Sequence, residues 1–331
     1  MNLVTGATGL LGSHIVSKLR QAGEPVRALV RPGANTSFLD SLGTEKAIGD
    51  VADRLSLARA MEGVRIVYHA AARVGDWGPW AEFVAITIEG TRNMIQAATR
   101  AGVQRFLHIS SISAYGHPDG AGLVLDETAP LGQHLHKWSY YSRAKVEVEK
   151  LIWAAAESGK LPVTVIRPSW LYGERDRATM PRLIRAIRAG RGRLIGDGRQ
   201  RLNLTYAGNE AEGCILAANS PQAAGEAYNI CNDGVITQAE YFNKIAAIIG
   251  VKPVTRKVPY KLAYNAAFLM EVFGHLFRTK SPPLVTRYSV WLMGRRCVFS
   301  TEKIQRELGY RPSVGYDEGI PRAVQWALEN M

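Results

Sequence analysis

Tyr141 and Lys145 are four positions apart in a segment predicted to open a helix, so their side chains share one helical face. A lysine ammonium beside a phenol favours the phenolate, and we therefore expect the Tyr141 pKa to be lowered towards the working range. Ser110 and Ser111 end a strand one strand–helix unit earlier, and a serine hydroxyl there would polarise the same substrate oxygen. Such a set can move a proton while a nicotinamide takes or gives a hydride.

A second group of residues predicts where that nicotinamide cofactor binds. Thr5 to Gly12 has the spacing Gly-x-x-Gly-x-x-Gly and lies between an apolar strand, Met1 to Val4, and a predicted helix, Ser13 to Leu19. Strand, glycine turn and helix together form a dinucleotide cradle, in which the helix N-terminus receives the phosphates. The alternative is a strand–helix connection that binds nothing, because glycine-rich turns are frequent. The motif begins almost at the first residue, so we expect neither a signal peptide nor a transit segment before it.

The charge after the second strand bears on which dinucleotide binds. NAD-binding proteins usually place Asp or Glu about 20 residues after the glycines, where the carboxylate holds the ribose hydroxyls. Here the predicted strand Pro25 to Val30 ends in Arg31, with no acidic residue nearby. Since arginine accommodates a 2′-phosphate, NADP(H) is favoured and NAD(H) is the alternative. The alternative is that Arg31 is an ordinary surface arginine after a strand.

Composition narrows the class of partner. The chain has 331 residues, 47% of them hydrophobic and 21% charged, which is typical of a globular protein with a large core. The net charge of +12 would suit nucleic acid, and much of it lies between Arg175 and Arg201. That run has no interleaved aromatic residues for base stacking, so we predict a solvated basic helix and loop rather than a nucleic-acid site.

Cysteine and histidine give no sign of a metal site. Cys214, Cys231 and Cys297 are widely spaced and fit neither a disulfide framework nor zinc, which agrees with a reducing cytoplasm. His134 and His136 lie in a predicted loop without acidic partners, and we expect both to be solvated.

Alternating strand and helix signals predict an α/β fold with a Rossmann-like, doubly wound parallel sheet. Later strands are predicted at 64–69, 106–110 and 163–167, and helices at 90–101 and 144–156. Residues 1–168 are assigned to the NAD(P)-binding domain, to which 203–233 return through a strand at 227–230. Residues 169–202 and 234–331 are assigned to a smaller, mainly helical substrate lobe.

Taken together, these motifs resemble the extended short-chain dehydrogenases/reductases, of the NAD-dependent epimerase/dehydratase superfamily, over essentially the whole chain. The resemblance rests on Thr5 to Gly12, Gly49 to Val51, Tyr68 to Ala72, Ile88 to Thr91, Ser110-Ser111, Tyr115-Gly116, Tyr141 to Lys145, Arg167-Pro168, Ala227 to Ile230, Leu308 to Pro312 and Glu318-Gly319. It implies a homodimer.

The resemblance also implies roles for individual residues. Tyr141 would be the acid/base, Lys145 would bond the nicotinamide ribose and tune Tyr141, and Ser111 would orient the reacting oxygen, with Ser110 structural. The cofactor would contact Gly6, Thr8, Gly9, Leu10, Leu11, Gly12, Arg31, Asp50, Val51, Ala70, Ala71, Ala72, Tyr141, Lys145 and Pro168. One position departs from the family: Thr87 stands where an asparagine usually supports a water in the proton relay. Either Thr87 substitutes for it, or the relay is rearranged, or Thr87 has no part in catalysis.

The substrate is less clearly marked. Val74, Trp77, Trp80, Ser111 and Tyr172 are the expected substrate contacts, although loop tryptophans often only fill a core. Lys261 to Phe277 has a broad apolar face and resembles the 3β-hydroxysteroid dehydrogenase-like branch. This stretch is either a core helix or a peripheral membrane or lipid contact.

We therefore expect an NAD(P)-dependent oxidoreductase that interconverts a secondary alcohol and a ketone on a bulky apolar substrate, either sterol-like or a long-chain 3-hydroxy or 3-keto acid. A nucleotide-sugar epimerase or dehydratase with retained NAD is the alternative. A cofactor-sensing protein without catalysis is a third hypothesis, against which the intact Tyr141–Lys145 pair argues.

Overall fold

A seven-stranded parallel sheet forms the centre of the computed structural model, which describes all residues 1–331. The strands of the chain are β1 (Asn2–Thr5), β2 (Val26–Val30), β3 (Glu45–Ile48), β4 (Ile66–His69), β5 (Arg105–Ile109), β6 (Val124–Leu125), β7 (Val163–Pro168), β8 (Trp170–Tyr172), β9 (Leu194–Ile195), β10 (Leu204–Tyr206), β11 (Glu226–Ile230), β12 (Lys257–Val258) and β13 (Val298–Phe299). The large sheet has the order β11-β7-β5-β4-β1-β2-β3, and each neighbouring pair is parallel.

Helices cover both faces of this sheet and build a second lobe. They are α1 (Leu10–Gln21), α2 (Ser37–Ser41), α3 (Arg54–Ala60), α4 (Trp80–Glu82), α5 (Gly90–Ala101), α6 (Tyr140–Glu157), α7 (Thr179–Arg188), α8 (Ala207–Asn219), α9 (Gln238–Ile248), α10 (Tyr260–Leu276), α11 (Arg287–Gly294), α12 (Glu302–Leu308) and α13 (Tyr316–Glu329). A π-helical segment, Phe83–Glu89, joins α4 to α5, and short 3₁₀ turns occur at Ile112–Tyr115 and Pro221–Ala223.

The strands form where continuous apolar runs can be buried on both faces. Every residue of β1, β4, β5 and β7 is buried, as expected for the interior of a parallel sheet covered by helices. One hydrophobic cluster lies between the sheet and α1 and α8, and a second lies between the other face and α5 and α6. The predicted fold class is confirmed.

The order of the strands determines where a ligand can bind. The chain starts in β1 at the middle of the sheet, builds β2 and β3 on one side, and then crosses to β4 on the other. Ligands of doubly wound folds bind outside the carboxyl ends of the strands at such a reversal. The Thr5–Gly12 turn, the loop after β4 and the serines after β5 all lie at that edge.

The later part of the chain packs around a third cluster that includes Ile184, Tyr241 and Val324, from α7, α9 and α13. Two short parallel sheets, β8 with β10 and β9 with β12, belong to this region, whereas β11 joins the large sheet beside β7. None of the helices has the length and apolarity that crossing a membrane would require.

Candidate active site

The glycine turn has the close packing that only glycine permits. Gly6 has φ +66°, and a Cβ there would lie 2.9 Å from the backbone of both Ala70 and Ala71. At Gly12 a Cβ would lie 2.2 Å from the Gly6 carbonyl oxygen. Gly9 is the N-cap of α1, and no side chain caps this helix, so its first amides remain free for an anion. The turn therefore fits a dinucleotide pyrophosphate.

The loop after β4 is held by a buried chain of hydrogen bonds. His69 bonds the Thr5 hydroxyl through Nδ1 (2.8 Å) and the Thr91 hydroxyl through Nε2 (2.9 Å), while Thr5 Oγ1 also accepts from the Ala71 amide (3.1 Å). Thr87 accepts a hydrogen bond from the Arg73 amide through its hydroxyl (2.9 Å). These contacts fix the course of Ala70 to Ala72. Thr87 thus has a structural bond in this loop, and its part in a proton relay stays a prediction.

The first turn of α6 carries Tyr141 and Lys145 towards the serines that follow β5. Lys145 is buried, its Nζ donates to the Ile109 carbonyl oxygen at 2.7 Å, and the same Nζ lies 5.8 Å from the centre of the Tyr141 ring. Burial lowers the pKa of Lys145 to about 8, partly offset by Glu149 one turn further along the helix. The structure thus brings the predicted acid/base and lysine together on one face of α6.

The direction of the Tyr141 pKa differs from the expectation. Burial raises the Tyr141 pKa above its usual value, the neighbouring Tyr288 raises it further, and a hydrogen bond with Ser111 lowers it only in part. The prediction of a lowered pKa is therefore wrong for this arrangement. The physical reason is that burial desolvates the phenolate, while Lys145, whose ammonium donates to the Ile109 carbonyl oxygen, is not among the groups that lower this pKa.

The two serines after β5 have different surroundings. Ser110 donates to the Glu149 carboxylate at 2.5 Å, beneath the surface of the site. Ser111 N-caps the 3₁₀ turn, accepts from the Ser113 amide at 3.1 Å and donates to the Ser113 hydroxyl at 3.1 Å. Ser110 therefore holds α6 against the sheet, whereas Ser111 is the serine that contacts Tyr141.

Tyr288 is a residue of this site that sequence reasoning did not single out. It lies in the first turn of α11, far along the chain, yet its ring centre is 6.4 Å from that of Tyr141. Its hydroxyl is 2.8 Å from Ser113 Oγ, which continues to Ser111. The hydroxyl groups thus form a row, Tyr288–Ser113–Ser111, that leads to Tyr141. The only local signal was an aromatic residue after the Pro282–Arg287 stretch.

A narrow cavity of about 20 Å³, with room for about one water molecule, opens beside Tyr141. Its walls combine four aromatic rings with polar groups: Asp76, Trp77, His136, Trp138, Ser139, Tyr141, Ser142, Glu271, Arg287 and Tyr288. Its charged members Glu271 and Arg287 form a buried ion pair at 2.7 Å, while Asp76 bonds the Thr286 hydroxyl. These charged groups are thus largely paired with other groups of the protein, and the part of the wall that remains for a ligand is aromatic.

The predicted substrate residues are not all at this cavity. Trp77 lines it and donates its indole N–H to the Thr279 carbonyl oxygen at 3.0 Å. Trp80 packs instead on Tyr140 and Arg143, and Val74 is exposed. Tyr172 is buried in the core of the second lobe, beside Tyr206 and Tyr241, and does not line the cavity.

The remaining residues that were predicted to contact the cofactor lie along the same sheet edge. Arg31 follows β2 and is exposed, and Pro168 ends β7. Asp50 accepts from the Ala52 amide at 2.9 Å, the bond of a turn aspartate, and Val51 packs where a Cβ on Gly90 would lie 2.7 Å away. These positions are compatible with the predicted contacts, which stay predictions.

Two expectations about solvated groups are wrong. His136 is half-buried, stacks on His117 at 4.4 Å, and its Nε2 is 3.0 Å from the Tyr264 hydroxyl, whereas His134 is exposed as expected. Arg175 donates through Nε to Ser13 Oγ at 2.8 Å and lies 4.2 Å from the Phe38 ring. Most of the other arginines up to Arg201 are exposed, as predicted for a solvated helix and loop. In both exceptions a partner distant in sequence covers the side chain.

The comparison with known families agrees with this geometry. A model of the NAD dependent epimerase/dehydratase family matches residues 2–231. The chain belongs to this family. The predicted relationship with the extended short-chain dehydrogenases/reductases is thereby confirmed.

Three proteins of similar sequence are named for reactions on ketones or sterols. The chain is 31% identical to a 4-hydroxy-2-methyl-3-oxo-4-farnesyl-3,4-dihydroquinoline-1-oxide ketoreductase of Stigmatella aurantiaca, covering 96% of this chain and 93% of the relative. It is 32% identical to a 2-alkyl-3-oxoalkanoate reductase of Stenotrophomonas maltophilia, with 97% of each chain covered. It is also 31% identical to a decarboxylating sterol-4-alpha-carboxylate 3-dehydrogenase of Mus musculus, covering 97% of this chain and 89% of the relative.

Solved structures share the whole architecture. The crystal structure of gox2253 has a TM-score of 0.83 at 30% identity and covers 100% of this chain and 98% of its own. A double mutant of DesIV, a dTDP-glucose 4,6-dehydratase of Streptomyces venezuelae with NAD bound, has a TM-score of 0.76 at 25% identity and covers 100% and 97%. The fold is therefore that of NAD-binding members of this superfamily.

Proposed function

We propose that this NAD(P)-dependent oxidoreductase interconverts a ketone and a secondary alcohol on a bulky apolar substrate that binds beside Tyr141. The observation that carries the proposal is that Tyr141 lines the same cavity as the aromatic side chains Trp77, Trp138 and Tyr288. The ketone- and sterol-directed relatives support the same substrate class. Aromatic walls of this kind suit a sterol-like compound or a long-chain 3-keto acid, and the cavity must widen to admit either, because its volume of about 20 Å³ holds only about one water molecule.

The surroundings of Tyr141 favour its proton-donating form. Burial raises the Tyr141 pKa, so the phenol keeps its proton at neutral pH, and the alkoxide that forms from a ketone can take this proton because an alkoxide is a stronger base than a phenolate. Ser111 lies beside Tyr141 and can hold the reacting oxygen, and Lys145 lies beneath, ready to bond a ribose hydroxyl. A bound nicotinamide would supply the hydride. In the oxidative direction the phenolate would accept the proton of the alcohol.

The decisive experiment is a substrate screen with a matched active-site variant. Long-chain 3-keto acids, sterol ketones and nucleotide sugars would be offered with NADPH and with NADH, and consumption of the reduced cofactor measured. We expect turnover with the first two classes, and Tyr141→Phe should abolish it while the variant still binds the cofactor. Retained turnover in Tyr141→Phe would remove Tyr141 from the mechanism. An epimerase or dehydratase would instead purify with bound NAD and convert nucleotide sugars without added cofactor.

We also propose a preference for NADP(H) over NAD(H). Arg31 is exposed directly after β2, and the acidic residue that follows, Asp40, is bonded to Lys46 and Thr36 and is not free to hold a ribose. Equilibrium binding of the two cofactors tests this choice. We expect tighter binding of NADPH, and Arg31→Asp should reverse the order because it replaces a cation with an anion at the 2′-phosphate. A wild-type preference for NADH would refute the proposal.

We also propose that the protein forms a homodimer and that it is located in the cytoplasm. Resemblance to the family supports the dimer, and the three buried, unpaired cysteines are compatible with a reducing compartment. Light scattering of the purified protein and fractionation of the source cells would test the two statements separately.

A further inference from the structure

The outer side of α10 presents large apolar side chains that no part of the chain covers. Leu262, Leu269, Phe273 and Leu276 lie within about 60° of one another around the helix axis, given 100° per residue. Phe273, Leu276 and Phe277 are 60%, 70% and 69% exposed. Met270, which is 39% exposed, follows Leu269 on the same helix, and we call this surface the α10 apolar face. A contiguous surface of this kind marks a contact with another body rather than with water.

The exposed charges on α10 and on the loop that follows it all have one sign. Between Tyr260 and Arg287 the only acidic residue is Glu271, which is buried and paired with Arg287. Lys261, Arg278 and Lys280 are exposed. A symmetric contact between two copies of the chain through this face would bring like charges together, which is unfavourable. An anionic lipid surface is complementary to both the apolar side chains and the flanking cations.

The opposite side of the same helix forms the wall of the substrate cavity. A Cβ on Gly274 would lie 2.6 Å from the Trp77 ring, so the helix backbone rests directly on that tryptophan. His275 packs between Trp77 at 4.5 Å and Trp138 at 4.3 Å, and Glu271 lines the cavity. One helix thus separates the exposed apolar face from the cavity beside Tyr141 by the thickness of its backbone.

We propose that the α10 apolar face seats the protein on the surface of an anionic membrane, and that the substrate reaches the cavity from the lipid. The helix lies in the interface without crossing it, with its phenylalanines and leucines among the acyl chains and Lys261, Arg278 and Lys280 at the headgroups. The second half of this inference rests on the proposed apolar substrate, whereas the first half does not.

Vesicle flotation tests the membrane contact directly, with no need for turnover. We expect the intact protein to float with phosphatidylcholine vesicles that contain phosphatidylglycerol, and to bind roughly 100-fold less to phosphatidylcholine alone, since each of three cations contributes about 1 kcal/mol. Phe273→Ser with Phe277→Ser should abolish flotation. Leu55→Ser with Val235→Ser is the matched control, because these side chains are 77% and 67% exposed elsewhere on the surface. This control should float like the wild type.

Other outcomes overturn the proposal. Flotation that survives the phenylalanine double variant would place the contact elsewhere. Absence of flotation, with a dimer that dissociates when Phe273 and Phe277 are replaced, would assign the face to a second copy of the chain. Circular dichroism of each variant verifies that the fold is intact.

Kinetics test the delivery of substrate. Anionic vesicles should raise kcat/KM for a membrane-partitioned 3-keto substrate at least 10-fold in the wild type, leave a short water-soluble ketone unchanged, and have no effect in the phenylalanine double variant. Flotation without turnover of any ketone or alcohol would sink the proposed function but keep the membrane contact. Turnover that does not change when vesicles are added would contradict delivery from the lipid, but it would agree with the proposed oxidoreductase activity.

Discussion

Removal of the Glu149 carboxylate should destabilise the protein far more than the loss of a surface charge. Glu149 is completely buried and accepts from Arg167 through three bonds, at 2.7 Å, 3.0 Å and 3.3 Å, and from Ser110 at 2.5 Å. Arg167 continues the network to Tyr115 at 2.8 Å, and Tyr115 donates to Asn229 at 2.8 Å. The network joins α6, β5, β7 and β11 beneath the candidate active site.

The magnitude follows from the burial of both charges. Burial by itself lowers the Arg167 pKa, and the hydrogen bonds and charge of Glu149 more than reverse this, so the net direction is upward. Glu149→Leu leaves that guanidinium buried without its counter-ion, which costs about 3–5 kcal/mol of unfolding free energy. This is a large part of the roughly 5–15 kcal/mol that keeps a typical domain folded. Replacement of both partners by apolar residues should cost much less than the sum of the single changes.

A double-mutant cycle measures this coupling. Urea unfolding followed by circular dichroism would be recorded for Glu149→Leu, Arg167→Met and the double variant. Asp317→Asn is the matched control, because Asp317 pairs with Lys244 at the surface with 92% of its side chain exposed, and should cost less than about 1 kcal/mol. The reasoning is refuted if Glu149→Leu also costs less than about 1 kcal/mol, or if the two single changes add.

Three further predictions concern the site itself. Lys145→Met should abolish turnover, yet it should raise the unfolding free energy at pH 7 by up to about 3 kcal/mol. The reason is that folding lowers the pKa of Lys145 from 10.5 to about 8, which penalises the ammonium of the wild-type protein. In urea titrations the extra stability of this variant should shrink as the pH rises from 8 to 10.5. A variant that is less stable than the wild type at pH 7 would contradict the prediction. Burial lowers the pKa of His69 from 6.5 to about 3, so His69 is neutral in the folded protein. Its contribution to the unfolding free energy is therefore complete above pH 6.5 and falls by about 2 kcal/mol between pH 7 and pH 5. His69→Gln should remove this share of the acid dependence, while His14, His108 and His117 keep theirs because burial lowers the pKa of each, and an unchanged slope would disprove the link. Gly12→Ala should cost about 1–3 kcal/mol and weaken cofactor binding, because its Cβ meets the Gly6 carbonyl oxygen at 2.2 Å. Gly315→Ala, with open space around it, is the control, and equal losses in both variants would remove the steric explanation.

Local patterns were sufficient for the elements and for the cofactor turn. Helix α5 begins and ends at the predicted residues 90 and 101, and the predicted strands at 64–69, 106–110 and 163–167 coincide with β4, β5 and β7 within two residues. The reason is that periodicity and glycine placement are properties of consecutive residues. The helical spacing of Tyr141 and Lys145 was predictable on the same grounds.

Features that depend on burial were not predictable in this way. The direction of the Tyr141 pKa was wrong because the cost of desolvation depends on which later segments cover the hydroxyl, and Tyr288 is one of them. His136 and Arg175 were expected in solvent, but His117 and Phe38 cover them from other parts of the chain. Tyr172 was expected at the substrate, yet it is part of the second lobe's core.

The sequence by itself determined the strand–turn–helix that can receive a dinucleotide, the helical face shared by Tyr141 and Lys145, and the apolar composition of α10. Only the tertiary structure decided that Tyr288 reaches Tyr141, that Glu149 and Arg167 neutralise each other in the core, and that one side of α10 lines a cavity while the other is exposed. The physical reason is that spacing along a helix or strand is set by local backbone geometry, whereas desolvation and pairing depend on segments that are far apart in the chain and meet only when it folds.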